Sequence, residues 1–254
     1  MSLSVNEDPQ KPVHFPADPD KFVFDNEVTA IFPNMAKRSI PHFYEAHAMH
    51  ARMLAAWVQR PGLQIADFGA SRGAFIDALR NCYGPGIVKH VCAADISDSM
   101  CSHLEADFPD ARVHRMDITS AEFLSDDNRS SFDIINLNYV LQFVPPTLQD
   151  CVLTKILDMV KPGGVLIYGT KEDDNTPLGA LLHEQYIQFR LDNGYTREEI
   201  VAKSAALKNS MWPTNRLWFL GRLASSGFSV RETTRYAVFA TYFAIRDGGN
   251  HGAG

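Results

Sequence analysis

The sequence predicts an α/β fold: a doubly wound, mostly parallel seven-stranded sheet with an antiparallel C-terminal hairpin and a helical cap. Three observations carry this. Short apolar runs alternate with helix-like stretches from Leu63 to Gly169, the pattern of a parallel sheet covered on both faces. The segment Ile65-Ala66-Asp67-Phe68-Gly69-Ala70-Ser71-Arg72-Gly73-Ala74-Phe75 joins a buried strand to a glycine turn and then to helix formers. Finally, Phe228–Thr234 and Val238–Arg246 alternate with the period of two expected of paired antiparallel strands.

Taken in order, residues 1–22 are rich in Pro, Asp and Asn and read as a flexible arm. Phe24–Met35 and Pro41–Arg60 carry helical patterning, with Pro33 and Pro41 as punctuation. Leu63–Gly69 reads as a strand, Ala74–Asn81 as a helix and Lys89–Ala94 as a strand. Asp98–Asp107 is a helix whose Asp98 and Ser99 suit its N-terminus. Ala111–Arg115 and Phe132–Leu137 are strands, and Thr147–Val160 is a helix stopped by Pro162-Gly163-Gly164 ahead of a strand at Val165–Gly169. A helical insert then spans residues 177–225, broken at Asn193-Gly194-Tyr195 and resuming from about Pro213 to Ser225. The expected organisation is one domain over residues 23–247, with N-terminal helices at 23–60 and a disordered tail at 248–254.

The 254 residues suffice for one sizeable core. No apolar run approaches the length of a membrane span, and the N-terminus lacks the order of a signal peptide. The net charge of −6 argues against broad nucleic-acid binding, which rests on phosphate neutralisation. Cys82, Cys92, Cys101 and Cys151 form no CxxC pair, which argues against a zinc site and for reduced thiols in the cytoplasm. No metal is expected.

A strand that ends in a glycine turn and opens a helix is a place to lay a nucleoside against bare backbone. Two kinds of nucleoside cofactor compete. A dinucleotide site wants three glycines around a pyrophosphate, whereas here Ala70, Ser71 and Arg72 separate Gly69 from Gly73. Asp67 would fit poorly beside a diphosphate and well beside the sulfonium and ammonium of S-adenosylmethionine. Asp95 ends the second strand at the spacing expected of a carboxylate that accepts from ribose hydroxyls, with Ile96 after it. Asp117 follows the third strand, where it can accept from the adenine amino group while Ile118 covers the ring. Asn138 follows the fourth strand and can bind the methionyl part. Any one Asp after a strand is often a helix cap, but four polar residues at successive strand ends form an ordered set.

These residues, with Val160-Lys161-Pro162-Gly163-Gly164, resemble the successive motifs of class I S-adenosylmethionine-dependent methyltransferases with their Rossmann-like fold. A closer likeness covers almost all of the chain after residue 22. Phe24-Asp25, Val28, Phe32-Pro33, Met35, Arg38-Ser39 and Pro41 resemble the N-terminal segment of the carboxy-S-adenosyl-L-methionine synthases, enzymes of tRNA wobble-uridine modification. Leu141-Gln142-Phe143, Lys171, Leu181-Leu182 and Asn193-Gly194-Tyr195 continue it. The resemblance implies cofactor contacts at Phe43, Gly69, Ala70, Ser71, Asp95, Ile96, Asp117, Ile118 and Asn138, closure by the N-terminal helices and the insert, and suggests a homodimer.

The likeness fails at one place. An arginine after the Asn-Gly-Tyr motif holds the carboxylate of that family's product, and ungapped counting puts Ser204 there. A serine lacks the bidentate charged grip of a guanidinium. Lys203 is adjacent and is expected to point elsewhere on the helix. The family's cofactor-contacting tyrosine falls on Phe43, with Tyr44 next to it. The expectation is therefore in-line methyl transfer to a small-molecule acceptor. A prephenate-dependent synthase and a non-catalytic cofactor-binding relative stand as alternatives. Candidate catalytic groups are Tyr44, Tyr139 and His47; His47 and His50 share a helical face and are read either as a proton relay or metal pair or as ordinary histidines, partly buried or exposed. Candidate acceptor contacts are Tyr139, Gln142, Lys171, Trp212 and Arg216, the last two near Trp218 as an aromatic-and-arginine cluster or a packed lid.

Overall fold

The computed structural model describes residues 25–58, 61–127, 129–172 and 174–248. The expected arm at 1–22, nearly all of the tail and Asp173 lie outside them. Seven strands form one sheet in the order β3-β2-β1-β4-β5-β7-β6. They are β1 (Ile65–Phe68), β2 (Val91–Asp95), β3 (Arg112–Arg115), β4 (Phe132–Asn138), β5 (Val160–Lys171), β6 (Phe228–Tyr236) and β7 (Phe239–Arg246). The first five run parallel; β7 is antiparallel to both β5 and β6. β1 sits centrally, paired with β2 on one side and β4 on the other, and all four of its residues are buried.

Nine α-helices surround the sheet among the described residues. Two precede it: α1 (Asn26–Ser39) and α2 (Phe43–Trp57). Within the parallel part come α3 (Ala74–Tyr83), α4 (Asp98–Asp107), α5 (Ala121–Ser125) and α6 (Pro146–Met159). The insert supplies α7 (Pro177–Asp192), α8 (Arg197–Leu207) and α9 (Arg216–Ser225). Two large apolar clusters hold the faces. One packs Phe68, Leu137, Leu153, Ile156, Tyr168 and Phe219; the other packs Leu54, Ile65, Phe75, Leu79, Val91 and Ile167. Strand alternation sends neighbours such as Leu166 and Ile167 to opposite faces.

Four local expectations need correction. Helix α1 runs on to Ser39, past the expected end at Met35, with Pro33 inside it. A proline cannot donate to the carbonyl four residues back; that carbonyl, of Thr29, instead accepts from Arg72 Nη1 at 3.4 Å. Residues 85–90 form a 3-10 turn, so β2 begins at Val91 rather than at Lys89. Helix α6 stops at Met159, and Val160 already pairs with Phe132 ahead of the glycines. The last insert helix begins at Arg216, because Asn215 caps it by accepting from the Trp218 N–H at 3.0 Å.

Gly164 marks a close backbone approach. A Cβ there would stand 2.8 Å from the Lys161 carbonyl oxygen and 2.9 Å from that of Asp133. Neither can move without disturbing the β4–β5 pairing. Gly164→Ala is therefore expected to destabilise the fold by about 2 kcal/mol, read as a lower midpoint in urea with an unchanged slope.

Candidate functional site

The site grows from the C-terminal ends of β1, β2 and β4. Beyond β1 the chain turns at Gly69, whose φ is 67° and whose absent Cβ would collide with Val140. The N–H groups of Gly69 and Ala70 both donate to the Ala94 carbonyl, at 2.7 and 3.0 Å. This folds the turn over the end of β2. Ser71, itself left-handed at φ 51°, then donates its N–H to one oxygen of Asp95 at 3.0 Å, and the Ser97 N–H donates to the other at 3.0 Å. Burial raises the Asp95 carboxyl above its usual range, against the pull of these N–H groups.

The strand ends open into a cavity of about 700 Å³, within the roughly 300–1,000 Å³ span of small-molecule sites. Phe43, Tyr44, His47, Asp67, Gly69, Ala70 and Ser71 line it, as do Asp95, Ile96, Asp117, Ile118 and Asn138. From the ends of β4 and β5 come Tyr139, Gln142 and Lys171. Three sequence-derived candidates stay outside. Gly73 is fixed by packing: its φ is 75° and a Cβ would strike the Phe108 ring. Trp212 lies between α8 and α9, held by its N–H to the Gln142 carbonyl, and it is Met211 that reaches the cavity. Arg216 is drawn to the C-terminal hairpin by Glu232 at 3.1 Å and the Tyr242 hydroxyl at 3.3 Å.

Asp67 is 1% exposed. One of its oxygens accepts from Asn136 Nδ2 at 2.7 Å, and the other has no hydrogen-bond partner. Asn136 Oδ1 and Asn138 Oδ1 are likewise buried without partners. Asn136 was absent from the sequence-derived set. Its signal was its place two residues before Asn138 on the same strand, so that both side chains leave one face. Its register partner on β1 is Asp67. Three orphaned acceptor oxygens in one wall fit a ligand rich in N–H donors and positive charge, such as an α-ammonium group beside a sulfonium. Burial, assisted by Asp95, pushes the Asp67 carboxyl up to about 7 in spite of the Asn136 bond.

Tyr139 holds φ 63°, an uncommon backbone for a bulky residue. Its ring packs against Phe43 at 5.7 Å and Phe239 at 6.0 Å. Gly169 makes the room: a Cβ there would stand 2.5 Å from Asn138 Oδ1 and 3.2 Å from Tyr139 Cε1. Burial raises the phenol well above its ordinary value, so it stays protonated. His47 Nδ1 lies 3.3 Å from Asn138 Nδ2, and burial followed by the charge of His50 pushes its pKa down to about 3. A neutral ring accepting from the amide carries its proton on Nε2. His50, lowered to about 4 by burial, bonds Thr233 Oγ1 at 2.8 Å and does not line the cavity. Both His47 and Tyr139 are poorly matched to proton abstraction near neutrality. The third candidate, Tyr44, is 40% exposed and donates to the Pro33 carbonyl, tying α2 to α1. Among the described residues no three of His, Cys, Asp or Glu gather to hold a metal.

Lys203 overturns the expected orientation of α8. The inner face of this helix carries Ile200, Lys203 and Ala206, three residues apart. Lys203 is 6% exposed, lines the cavity and donates to Ser39 Oγ at 2.8 Å. Ser204 is one position round the helix and returns its hydroxyl to the Ile200 carbonyl at 2.7 Å.

Comparison with known proteins agrees with this architecture. Residues 65–164 match a family model described as a methyltransferase domain. A carboxy-S-adenosyl-L-methionine synthase from Shewanella baltica is 32% identical over 82% of this chain and 85% of its own length. One from Hydrogenovibrio crunogenus is 31% identical over 89% of this chain and 90% of its own. Among solved structures, the CurJ carbon methyltransferase aligns with a TM-score of 0.60 at 15% identity, covering 91% of this chain and 61% of that one. Magnesium protoporphyrin IX methyltransferase from Synechocystis, with bound SAH, aligns at 0.56 and 15%, covering 84% and 87%. These define an S-adenosylmethionine-dependent methyltransferase of class I. The chain belongs to the family of the carboxy-S-adenosyl-L-methionine synthases, and S-adenosylmethionine is its cofactor.

Asp67 has a pH consequence. Its folded pKa of about 7 exceeds its ordinary value of 3.8, so its stabilising effect is complete below about 4 and is lost as pH rises through 7. Asp67→Asn, which mimics the protonated form, is expected to flatten this loss, on the order of 4 kcal/mol at most. Thermal melts of the cofactor-free protein between pH 4 and 8 check it: the variant should gain on the wild type as pH rises, while losing affinity for S-adenosylmethionine.

Proposed function

We propose that the protein moves the methyl group of S-adenosylmethionine to a small molecule enclosed in the cavity, leaving S-adenosylhomocysteine. The observation that carries this is that one cavity is lined by two kinds of residue. The first holds the orphaned oxygens of Asp67, Asn136 and Asn138 and the carboxylates of Asp95 and Asp117. The second is aromatic: Phe43, Tyr139, Tyr186 and Phe239, which pack together in one cluster. In this reading Asp95 accepts from the ribose hydroxyls, Asp117 from the adenine amino group, Ile118 covers the base, and Asp67 with Asn136 and Asn138 receives the methionyl end. The acceptor packs against the aromatic set.

When bound, the cofactor supplies a methyl carbon already activated by its sulfonium: the carbon–sulfur bond breaks with its electron pair going to sulfur as the acceptor's lone pair forms the new bond. The protein's part is to hold the acceptor in line and exclude water. Ser204 supports simple methyl transfer at its own position, because its hydroxyl is committed to a helix carbonyl, whereas Lys203 beside it brings a cation to the cavity wall and keeps the second reading below in play.

A second reading is favoured by the names of the relatives, which are carboxy-S-adenosyl-L-methionine synthases. Mass spectrometry of the cofactor products separates the two. Purified protein with S-adenosylmethionine and a panel of small amines, thiols, phenols and carboxylic acids should yield S-adenosylhomocysteine with at least one acceptor. Carboxy-S-adenosylmethionine appearing with prephenate would replace the first reading by the second. Asp95→Ala, by removing the ribose acceptor, should weaken cofactor binding at least about tenfold, measured by calorimetry.

A further inference from the structure

We propose that His47 is a positioning residue for the cofactor: by accepting on Nδ1 from the Asn138 amide, it locks that amide so that Oδ1, and not the NH2 group, is presented to the cofactor's α-ammonium. This rests on the reading above in which Asn138 receives the methionyl end. The argument begins with two asparagines on one strand. Asn136 and Asn138 leave the same face of β4, and both belong to the cavity wall. In each, the NH2 group is bound by a protein acceptor and the oxygen is buried without a partner. For Asn136 the acceptor is Asp67 Oδ1 at 2.7 Å; for Asn138 it is His47 Nδ1 at 3.3 Å. His47, on α2, thus does for Asn138 what Asp67, on β1, does for Asn136.

The surroundings of His47 suit it to this task alone. Its ring stands edge-on to Phe43 at 4.8 Å and 86°, and lies 6.1 Å from Phe75. Burial first, then His50, keep the ring neutral, so one nitrogen is an acceptor and the other a donor. Among the described residues Asn138 is its only hydrogen-bond partner. His50, three residues on, gives its Nε2 to Thr233 Oγ1 at 2.8 Å and keeps its Nδ1 buried without a partner. The two rings therefore form no relay. On the far side of Asn138, Gly169 supplies no side chain: a Cβ there would stand 2.5 Å from Oδ1. An amide exchanges its oxygen and nitrogen by a half-turn, and only a bound partner chooses between the two. Without the His47 ring, the NH2 group would be free to turn toward solvent. Binding an ammonium would then mean turning it back and leaving a buried donor unpaired.

Calorimetry on the full chain tests this with two ligands, S-adenosylhomocysteine and 5′-methylthioadenosine. The second keeps the nucleoside and the sulfur but lacks the amino and carboxylate groups. His47→Leu should weaken S-adenosylhomocysteine about tenfold and change 5′-methylthioadenosine by less than about twofold. His47→Asn should recover most of the loss, because its Oδ1, like the histidine Nδ1, stands two bonds from Cβ and can accept from the same amide. Asn138→Ala should weaken S-adenosylhomocysteine at least about tenfold. Adding His47→Leu to that variant should change the affinity by less than about a further twofold, since the two residues act as one unit. Equal losses for the two ligands, a loss that His47→Asn does not recover, or additive losses in the double variant overturns the proposal. The tautomer supplies a measurement on the wild-type chain, which holds should the leucine variant fail to fold. In 15N spectra of histidine-labelled protein, His47, assigned through its contacts with Phe43 and Phe75, should carry its proton on Nε2. A proton on Nδ1 overturns the proposal. Weakening by Asn138→Ala without weakening by His47→Leu overturns the proposal alone. No weakening by Asn138→Ala overturns the placement of the methionyl end on which it rests.

Discussion

Two N–H groups share one carbonyl, and the site follows from it. By donating together to the Ala94 oxygen, Gly69 and Ala70 pin the turn after β1 across the end of β2. With that tie in place Ser71 meets Asp95, and Asp95 is held from both sides by backbone. The arrangement tolerates no side chain at Gly69, since Val140 occupies the space. It is supported from behind by Phe68 and Phe75, which are almost wholly buried in opposite apolar clusters. A central strand paired on both sides gives the turn a rigid base, so the precision of the site comes from the sheet rather than from the loop.

The same sheet holds its polar groups at a cost. Asp67, Asn136 and Asn138 stand among buried apolar neighbours with an oxygen each left unpartnered. Each such group costs on the order of 1–3 kcal/mol in a folded protein. Two clusters of aliphatic and aromatic side chains offset this, and the residues that carry the unpartnered atoms belong to the cavity wall. Stability given up at one wall of the sheet becomes affinity for a ligand able to complete the hydrogen bonding.

Much of this was legible in the sequence because it depends on local chemistry. The glycine turn, the acids after successive strands and the alternating C-terminal pair all announce themselves by spacing, and the helix at Asp98–Asp107 has the bounds expected of it. The tolerance of Pro33 inside α1 rests on a distant partner, since Arg72, which serves the freed Thr29 carbonyl, lies 43 residues away in the chain. Asn136 was hidden inside an apolar run and becomes meaningful only in register with Asp67. Lys203 and Ser204 differ by one step of a helix, and nothing local says which of them faces inward. That is decided by Ile200 and Ala206 packing against the rest of the molecule. Trp212 and Arg216 show the reverse error, in which chemically attractive side chains are claimed by the Gln142 carbonyl and by the hairpin.

The Arg38 contacts bear on how molecules enter and leave. Its guanidinium grips two successive carbonyls of the turn between α7 and α8, and the neighbouring Ser39 hydroxyl meets the Tyr195 hydroxyl at 2.9 Å. Helix α1 and that turn are thereby stitched into a single plate. Lifting either alone would bare a guanidinium, two carbonyls and two hydroxyls at once, a toll on the order of several hydrogen bonds. Tyr44, which donates to the Pro33 carbonyl, adds α2 to the same plate. The two pieces of the cap are thus fastened to each other, and neither can open without the other.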